Sequence, residues 1–270
     1  MRIDGDVRHR WREPQGLSMR PYLAEVAAAF AFLTRLPVGR WAGPRVDDAL
    51  VSSTWAYPLV GGVVGALGGL AYWLLDALAL PPTLCAVVTI GAIVMATGAL
   101  HEDGLADTAD GFGGGSTRAR KLEIMHDHQI GTYGAVALVL ALALRTVALA
   151  SLREPALVLV SVIAAGAVSR AGMAGLMCLL PPARPDGLAA RICRQDRGPA
   201  LVAAAFGALI SLLALPLSAA LLVIAVGGIA CLAVAALARR QIDGVTGDVL
   251  GAAQQTSECA VLTVLCAALR

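Results

Sequence analysis

Seven stretches of this chain are long and apolar enough to enter a lipid bilayer, at residues 55–80, 84–100, 133–151, 156–180, 200–215, 217–238 and 249–269. A spanning helix needs about 20 mainly apolar residues, and backbone in lipid must satisfy its own hydrogen bonds, so runs of this length read as helices. Pro81-Pro82, Pro155, Pro181-Pro182, Pro199 and Pro216 punctuate them. Across all 270 residues, 58% are hydrophobic and 15% charged, against about 25% charged in globular domains. A single soluble core could not hide that much apolar surface, and disorder requires the opposite composition. Aromatics are scarce at 4%, and Gly is abundant at 29 residues. Small residues let helices approach closely within a membrane. The fold expected is all-α: a polytopic integral membrane helical bundle of about seven transmembrane helices, with its active-site loops cytoplasmic.

Residues 1–21 read as an Arg-rich tail dispensable to the fold, with Met19 an alternative start, and residues 22–270 as one membrane-embedded domain. The polar beginning does not have the form of a cleavable signal peptide. Residues 22–33 form a short apolar helix expected to lie along the membrane surface. Six Cys are scattered, mostly within apolar runs, with no CxxC pair. They read as small buried hydrophobes rather than disulfide or zinc ligands.

Basic residues set the orientation. Arg2, Arg8, Arg10, Arg12, Arg20, Arg35, Arg40, Arg45, Arg118, Arg120, Lys121, Arg184, Arg191, Arg194, Arg197, Arg239 and Arg240 all fall on one side of a seven-span arrangement. The short opposite loops carry only Arg153. By the positive-inside rule the long loops are cytoplasmic, so the expected location is the inner (cytoplasmic) membrane with the N-terminus inside.

Acidic residues locate the chemistry. The stretch His101-Glu102-Asp103-Gly104-Leu105-Ala106-Asp107-Thr108-Ala109-Asp110-Gly111 follows the second apolar run. If it continues that run as a helix, Asp103, Asp107 and Asp110 fall within about 60° of one another. Like charges so placed repel, and a hard dication removes the penalty. An all-oxygen set suits Mg²⁺ (or Mn²⁺) better than zinc, with substrate phosphates completing the shell. The glycines at 111–115 would leave backbone N–H groups open to anions, with Arg118 and Lys121 available to balance phosphate charge. Further on, Glu123 and Asp127 precede the return to the membrane at Thr132. Asp127 is a candidate metal ligand or orienter of a nucleophilic hydroxyl. A second cluster contains Thr246, Asp248, Gln255 and Glu258. Asp248 opens the last run at a helix N-terminus suited to phosphate, whereas Glu258, Arg145 and Arg170 lie inside apolar runs and need inward-facing partners.

These clusters resemble the cobalamin synthase family (adenosylcobinamide-GDP ribazoletransferase). The resemblance is carried by residues 97–111, by Leu122-Glu123-Ile124-Met125 with Asp127 and Ile130-Gly131-Thr132-Tyr133-Gly134, and by Thr246-Gly247-Asp248-Val249-Leu250-Gly251-Ala252 with Glu258. Weaker echoes occur at residues 34–37 and 58–61, at Arg170, at Ala183-Arg184 and at Gly187-Leu188. Two departures stand out: the family usually has an apolar residue at Glu102 and a basic one near His126 and Gln129. The resemblance implies a Mg²⁺-dependent transferase of cobalamin biosynthesis, which joins adenosylcobinamide-GDP to α-ribazole (or its 5′-phosphate) and releases GMP. It implies metal ligands among Asp103, Asp107, Asp110 and Asp248, and catalytic roles for Asp127, Glu258 and Glu123. Substrate or phosphate contacts would come from His101, Gly104, Arg118, Lys121, Thr132, Thr246, Arg170 and Arg184. The partners implied are these small molecules and the bilayer, with no nucleic acid. A homo-oligomer, or a complex with other cobalamin-assembly enzymes, is compatible with this reading. Two rivals use similar residues. A CDP-alcohol phosphotransferase also holds metals with spaced Asp residues, but the pattern here is D-G-x-x-D-x-x-D-G. A cation-coupled transporter would place its acids near the midplane, often in repeated halves, and no repeat is apparent.

Overall fold

The computed structural model describes residues 20–38, 46–127, 129–185, 188–193 and 197–269. The tail arginines up to Arg12, together with Arg40, Arg45, His128, Gly187 and Arg194, lie outside the described residues. The described chain is helical: α1 Arg20–Leu33, α2 Val46–Ser52, a 3-10 turn Ser53–Ala56, α3 Tyr57–Ala77, α4 Pro82–Thr97, α5 Leu100–Gly114, α6 Arg118–Ile124, α7 Thr132–Leu152, α8 Pro155–Leu179, α9 Leu188–Ile192, α10 Arg197–Ala214, α11 Leu217–Ile242 and α12 Gly247–Ala268. A single β-bridge, Pro182 to Val245, ties the loop after α8 to the one before α12.

Helix α8 is the axis of the bundle, packed against α3, α10, α11 and α12. Its contact with α3 is made by glycines. A Cβ at Gly61 would overlap the Gly166 carbonyl, and one at Gly65 would overlap the Val162 carbonyl. The two backbones therefore touch, as expected where van der Waals packing rather than hydrophobic burial drives helix association. Outer faces are apolar and uncovered, with Val136, Val139, Leu140 and Val147 exposed on α7 and Leu213, Leu221, Ile229 and Leu232 exposed on α10 and α11. Such a surface requires lipid.

The number of spans differs from seven. Among the described residues, five helices are long and apolar enough to cross a bilayer: Ala49–Ala77, Thr132–Leu152, Pro155–Leu179, Arg197–Ala214 and Leu217–Ile242. The pair α4 and α5 would make a sixth but is bent by 90°. The acidic stretch thus does not prolong the second apolar run. Gly98 and Ala99 both adopt left-handed backbone (φ 65° and 58°) and break the helix between them. The Arg35 side chain lies over Gly98, where a Cβ would meet it, and Arg35 N donates to Ala96 O at 2.7 Å. Helix α12 has the length of a span, but its first half carries Asp248, Gln254, Gln255 and Glu258. Those polar groups are tolerated because α5, α7, α8 and α11 surround them. The short helix α1 buries Ala27, Ala28, Ala29 and Leu33 against the bundle.

The α3–α8 contact yields a direct test. Gly61→Val should push the backbones apart at a cost of about 1–3 kcal/mol or more, seen as loss of monodisperse protein or a lowered thermal midpoint in detergent. Gly91→Ala, whose Cβ would meet nothing within 4 Å, should leave both unchanged.

Candidate functional site

The site is organised by a buried guanidinium. Arg145, in the middle of α7, is fully enclosed and bridges two helices: Nη2 reaches Glu102 Oε1 on α5 at 3.1 Å and Nη1 reaches Glu258 Oε1 on α12 at 3.2 Å. Gln255 Nε2 donates to Glu102 Oε1 at 3.0 Å and to Gln254 Oε1 at 2.9 Å. Gln254 Nε2 donates in turn to Ser169 Oγ at 3.1 Å and to Glu258 Oε2. Arg170 on α8 is buried alongside, with Nη1 donating to Gly166 O at 3.3 Å and its Nε and Nη2 unpartnered. A buried charge is tolerable only when paired and hydrogen-bonded, so this network fixes α5, α7 and α12 relative to one another. The partners that Arg145 requires are therefore present, and Glu102 is one of them.

Directly beside the network α5 crosses α12. A Cβ on Gly104 would come within 2.7 Å of Asp248 O, and one on Gly251 within 3.2 Å of the Gly104 Cα. That approach places Asp103 and Asp107, one turn apart on α5, with Asp248 in the wall of one cavity of about 610 Å³. Thr246 caps α12, accepting from Val249 N at 3.3 Å and donating to Asp248 Oδ2 at 3.1 Å. Helix α5 is not one of the five helices long and apolar enough to cross a bilayer. Burial, followed by the carboxylates of Asp103, Asp248 and Asp110, pushes the Asp107 carboxyl up to about 7. Burial is the larger cause, and the neighbouring like charges add to it. As the side chains stand, no three His, Cys, Asp or Glu groups among the described residues are arranged to hold a metal ion. The donors nevertheless line one cavity and are all oxygens, which suits a hard cation.

Other expected site residues divide clearly. His101, Asp127, Arg184 and Thr246 line the same cavity. His101 is 1% exposed and neither ring nitrogen has a partner. Asp127 is exposed and its Oδ1 accepts from Gln129 N at 3.1 Å. Arg184 donates to Leu122 O while its Nε is buried without a partner. Asp110 is turned away: its carboxylate accepts from Gly131 N at 2.7 Å and Gly134 N at 2.9 Å, fastening the start of α7. Glu258 is held in the Arg145 network outside the cavity. Glu123 is exposed and pairs with Arg120 at 2.8 Å. Lys121 Nζ donates to Gly115 O at 2.7 Å, and Arg118 donates to Ile242 O at 2.8 Å and Ala183 O at 2.6 Å. Both basic side chains thus bind backbone carbonyls. Thr132 is exposed at the first turn of α7, Arg170 is buried outside the cavity wall, and Gly104 serves the helix crossing. The glycine stretch is not an open anion loop. Helix α5 runs through Gly114, with Gly111 against Met125 and Gly113 against the Tyr133 ring.

Met173 and Met177 on α8, Phe32 on α1 and Ile192 on α9 also line the cavity, and nothing in their sequence pattern set them apart from core residues. Gln254 and Ser169 were likewise hidden within apolar runs. Asp110→Asn offers one acceptor where two N–H groups need one. It should lower stability by about 1.5–3 kcal/mol, read as a fall in thermal midpoint of the detergent-solubilised protein.

The sequence profile described as Cobalamin-5-phosphate synthase matches residues 25–266. Among curated relatives, adenosylcobinamide-GDP ribazoletransferase of Bradyrhizobium diazoefficiens is 46% identical over 250 residues, covering 93% of this chain and 96% of its own. The same-named protein of Mesorhizobium japonicum is 43% identical over 256 residues, covering 94% and 96%. That of Brucella ovis is 39% identical over 259 residues, covering 92% and 98%. No solved structure matches the chain. With the match spanning the carboxylate cavity and nearly every helix around it, the chain belongs to the cobalamin-5-phosphate synthase family.

Proposed function

We propose that this chain is an adenosylcobinamide-GDP ribazoletransferase, which closes the nucleotide loop of cobalamin. A hydroxyl of α-ribazole (or its 5′-phosphate) bonds to the cobinamide-linked phosphorus of adenosylcobinamide-GDP. The phosphorus–oxygen bond to GMP breaks, and the hydroxyl proton passes to the protein and then to solvent. The observation that carries the reading is the meeting of Asp103, Asp107 and Asp248 in one cavity, within the segment shared with relatives of that name. The family membership leaves the CDP-alcohol and transporter readings without support.

Asp103, Asp107 and Asp248 are the residues that would hold Mg²⁺ or Mn²⁺, with Asp110 bracing them from behind. A bound dication supplies neutralisation of the diphosphate and of the departing GMP. The protein's own groups do the rest. Arg184, with a buried unpartnered Nε in the cavity wall, binds phosphate oxygen. Asp127 lines the same cavity and Glu258 does not, which supports Asp127 as the group that orients the hydroxyl and takes its proton. Arg118 and Lys121, engaged by carbonyls, shape the site without touching phosphate.

The cavity opens to the cytoplasm of the inner membrane. Support comes from the basic side chains around it, Arg118, Arg120, Lys121, Arg184, Arg239 and Arg240, against Arg153 alone at the far ends of α7 and α8.

Detergent-purified or reconstituted protein supplied with adenosylcobinamide-GDP, α-ribazole and Mg²⁺ should form cobamide and GMP in equal amounts. Asp103→Asn and Asp107→Asn should each lower turnover at least about a hundredfold while membrane insertion is retained. Chelation should stop the reaction and Mn²⁺ restore it. Near-normal turnover of either variant, or turnover of a CDP-alcohol alone, would refute the assignment.

A further inference from the structure

We infer that the methionine-lined part of this cavity is the subsite for the planar base of the incoming nucleoside, a dialkylbenzimidazole-type ring, with His101 receiving a hydroxyl of its ribose. The inference rests on the transferase reading and adds which substrate occupies which wall. The carboxylates of the lining come from α5, the α6–α7 turn and the start of α12, where Leu100, Met125 and Leu250 also face the cavity, whereas Phe32, Met173, Met177 and Ile192 come from α1, α8 and α9, with Arg184 on the loop between the last two. One cavity therefore offers two chemistries.

Its volume of about 610 Å³ sits within the range of about 300–1,000 Å³ that encloses a drug-sized ligand. A nucleoside fits that space. A corrinoid carrying its adenosyl group is several times larger and must remain at the mouth, reaching in through its phosphate. Two bases then compete for the apolar wall, the guanine of the leaving nucleotide and the base of ribazole. Guanine carries several donors and acceptors, and burying them against Phe32, Met173, Met177 and Ile192 would leave them unpaired at a cost. A dialkylbenzimidazole joined to ribose through one ring nitrogen has no N–H on its ring and a single acceptor nitrogen. It presents two methyl groups and flat carbon faces, which thioethers contact favourably. Met173 and Met177 lie one turn apart on α8, so both side chains are on the same face of the helix.

His101 is the second, independent sign of a ligand. It is enclosed, both its ring nitrogens lack partners, and it lines the same cavity. Leaving a buried polar side chain unsatisfied is costly, and a ribose hydroxyl can both donate and accept. A ligand with one flat apolar end and one hydroxylated end satisfies both features together.

The test measures KM for each substrate separately, alongside direct binding of α-ribazole followed by its benzimidazole fluorescence. Met177→Ala should raise the α-ribazole KM about tenfold and leave that for adenosylcobinamide-GDP within about twofold. A rise confined to adenosylcobinamide-GDP, or equal for both, would overturn the inference. Wild-type protein supplies a second arm that needs no variant. Nucleosides with unsubstituted benzimidazole, and then with adenine, should bind progressively more weakly than α-ribazole; indifference to the base would overturn it. Wild-type turnover with the wrong pattern sinks this inference alone. Wild-type protein that neither turns over nor binds α-ribazole sinks it together with the transferase reading.

Discussion

A positive charge that cannot reach water holds this protein's working parts in register. Arg145 lies midway along an apolar helix, and its guanidinium is neutralised by Glu102 from α5 and Glu258 from α12. Removing one partner of such a group leaves an uncompensated buried charge, at about 3–5 kcal/mol, so the three helices have few alternative arrangements. Glu102 precedes Asp103 in the chain, and Glu258 shares its helix with Asp248. Fixing the ion pairs therefore also fixes the two helices whose carboxylates line the cavity. The cavity wall is held from within the bundle, with the glycine crossing of α5 and α12 setting the separation.

The same constraint explains why polar residues are tolerated in a chain otherwise so apolar. Gln254, Gln255 and Ser169 extend the network around the two glutamates, and the surrounding helices present their apolar faces outward. Glu102 has a physical role here: it meets a guanidinium whose charge Glu258 alone would otherwise have to balance. Two carboxylates opposite Arg145 and Arg170 bring the formal charge of the buried group to zero.

Much of this was legible in the residues. Long apolar runs with proline breaks announce a helical membrane protein. The intramembrane charges Arg145 and Glu258 call for inward-facing partners, and they pair. Asp103, Asp107 and Asp248 share one cavity although well over a hundred positions separate the outermost two. Other features depend on tertiary geometry that periodicity does not encode. A helical-wheel argument puts Asp110 on the stripe of Asp103 and Asp107, yet two backbone N–H groups of the α7 start capture it. The Gly98-Ala99 break turns α5 through 90° where composition alone suggests continuity. Arg118 and Lys121 look like phosphate ligands by type and position, and carbonyl oxygens claim them first. Helix α12 reads as a seventh span until its polar half is seen enclosed. Met173 and Met177 carry no mark at all, because a methionine facing a cavity and one facing a core share the same pattern.

Under the proposed function, a dication that nucleotide phosphate helps to hold would offset the charge of the crowded carboxylates. Electron paramagnetic resonance of Mn²⁺ added to the purified protein with a non-reacting adenosylcobinamide-GDP analogue measures this directly. The account predicts a bound ion with ³¹P hyperfine coupling, lost or weakened at least tenfold in affinity in Asp107→Asn and Asp248→Asn. An ion bound equally well by those variants, or one showing only water ligands and no phosphorus coupling, would contradict it.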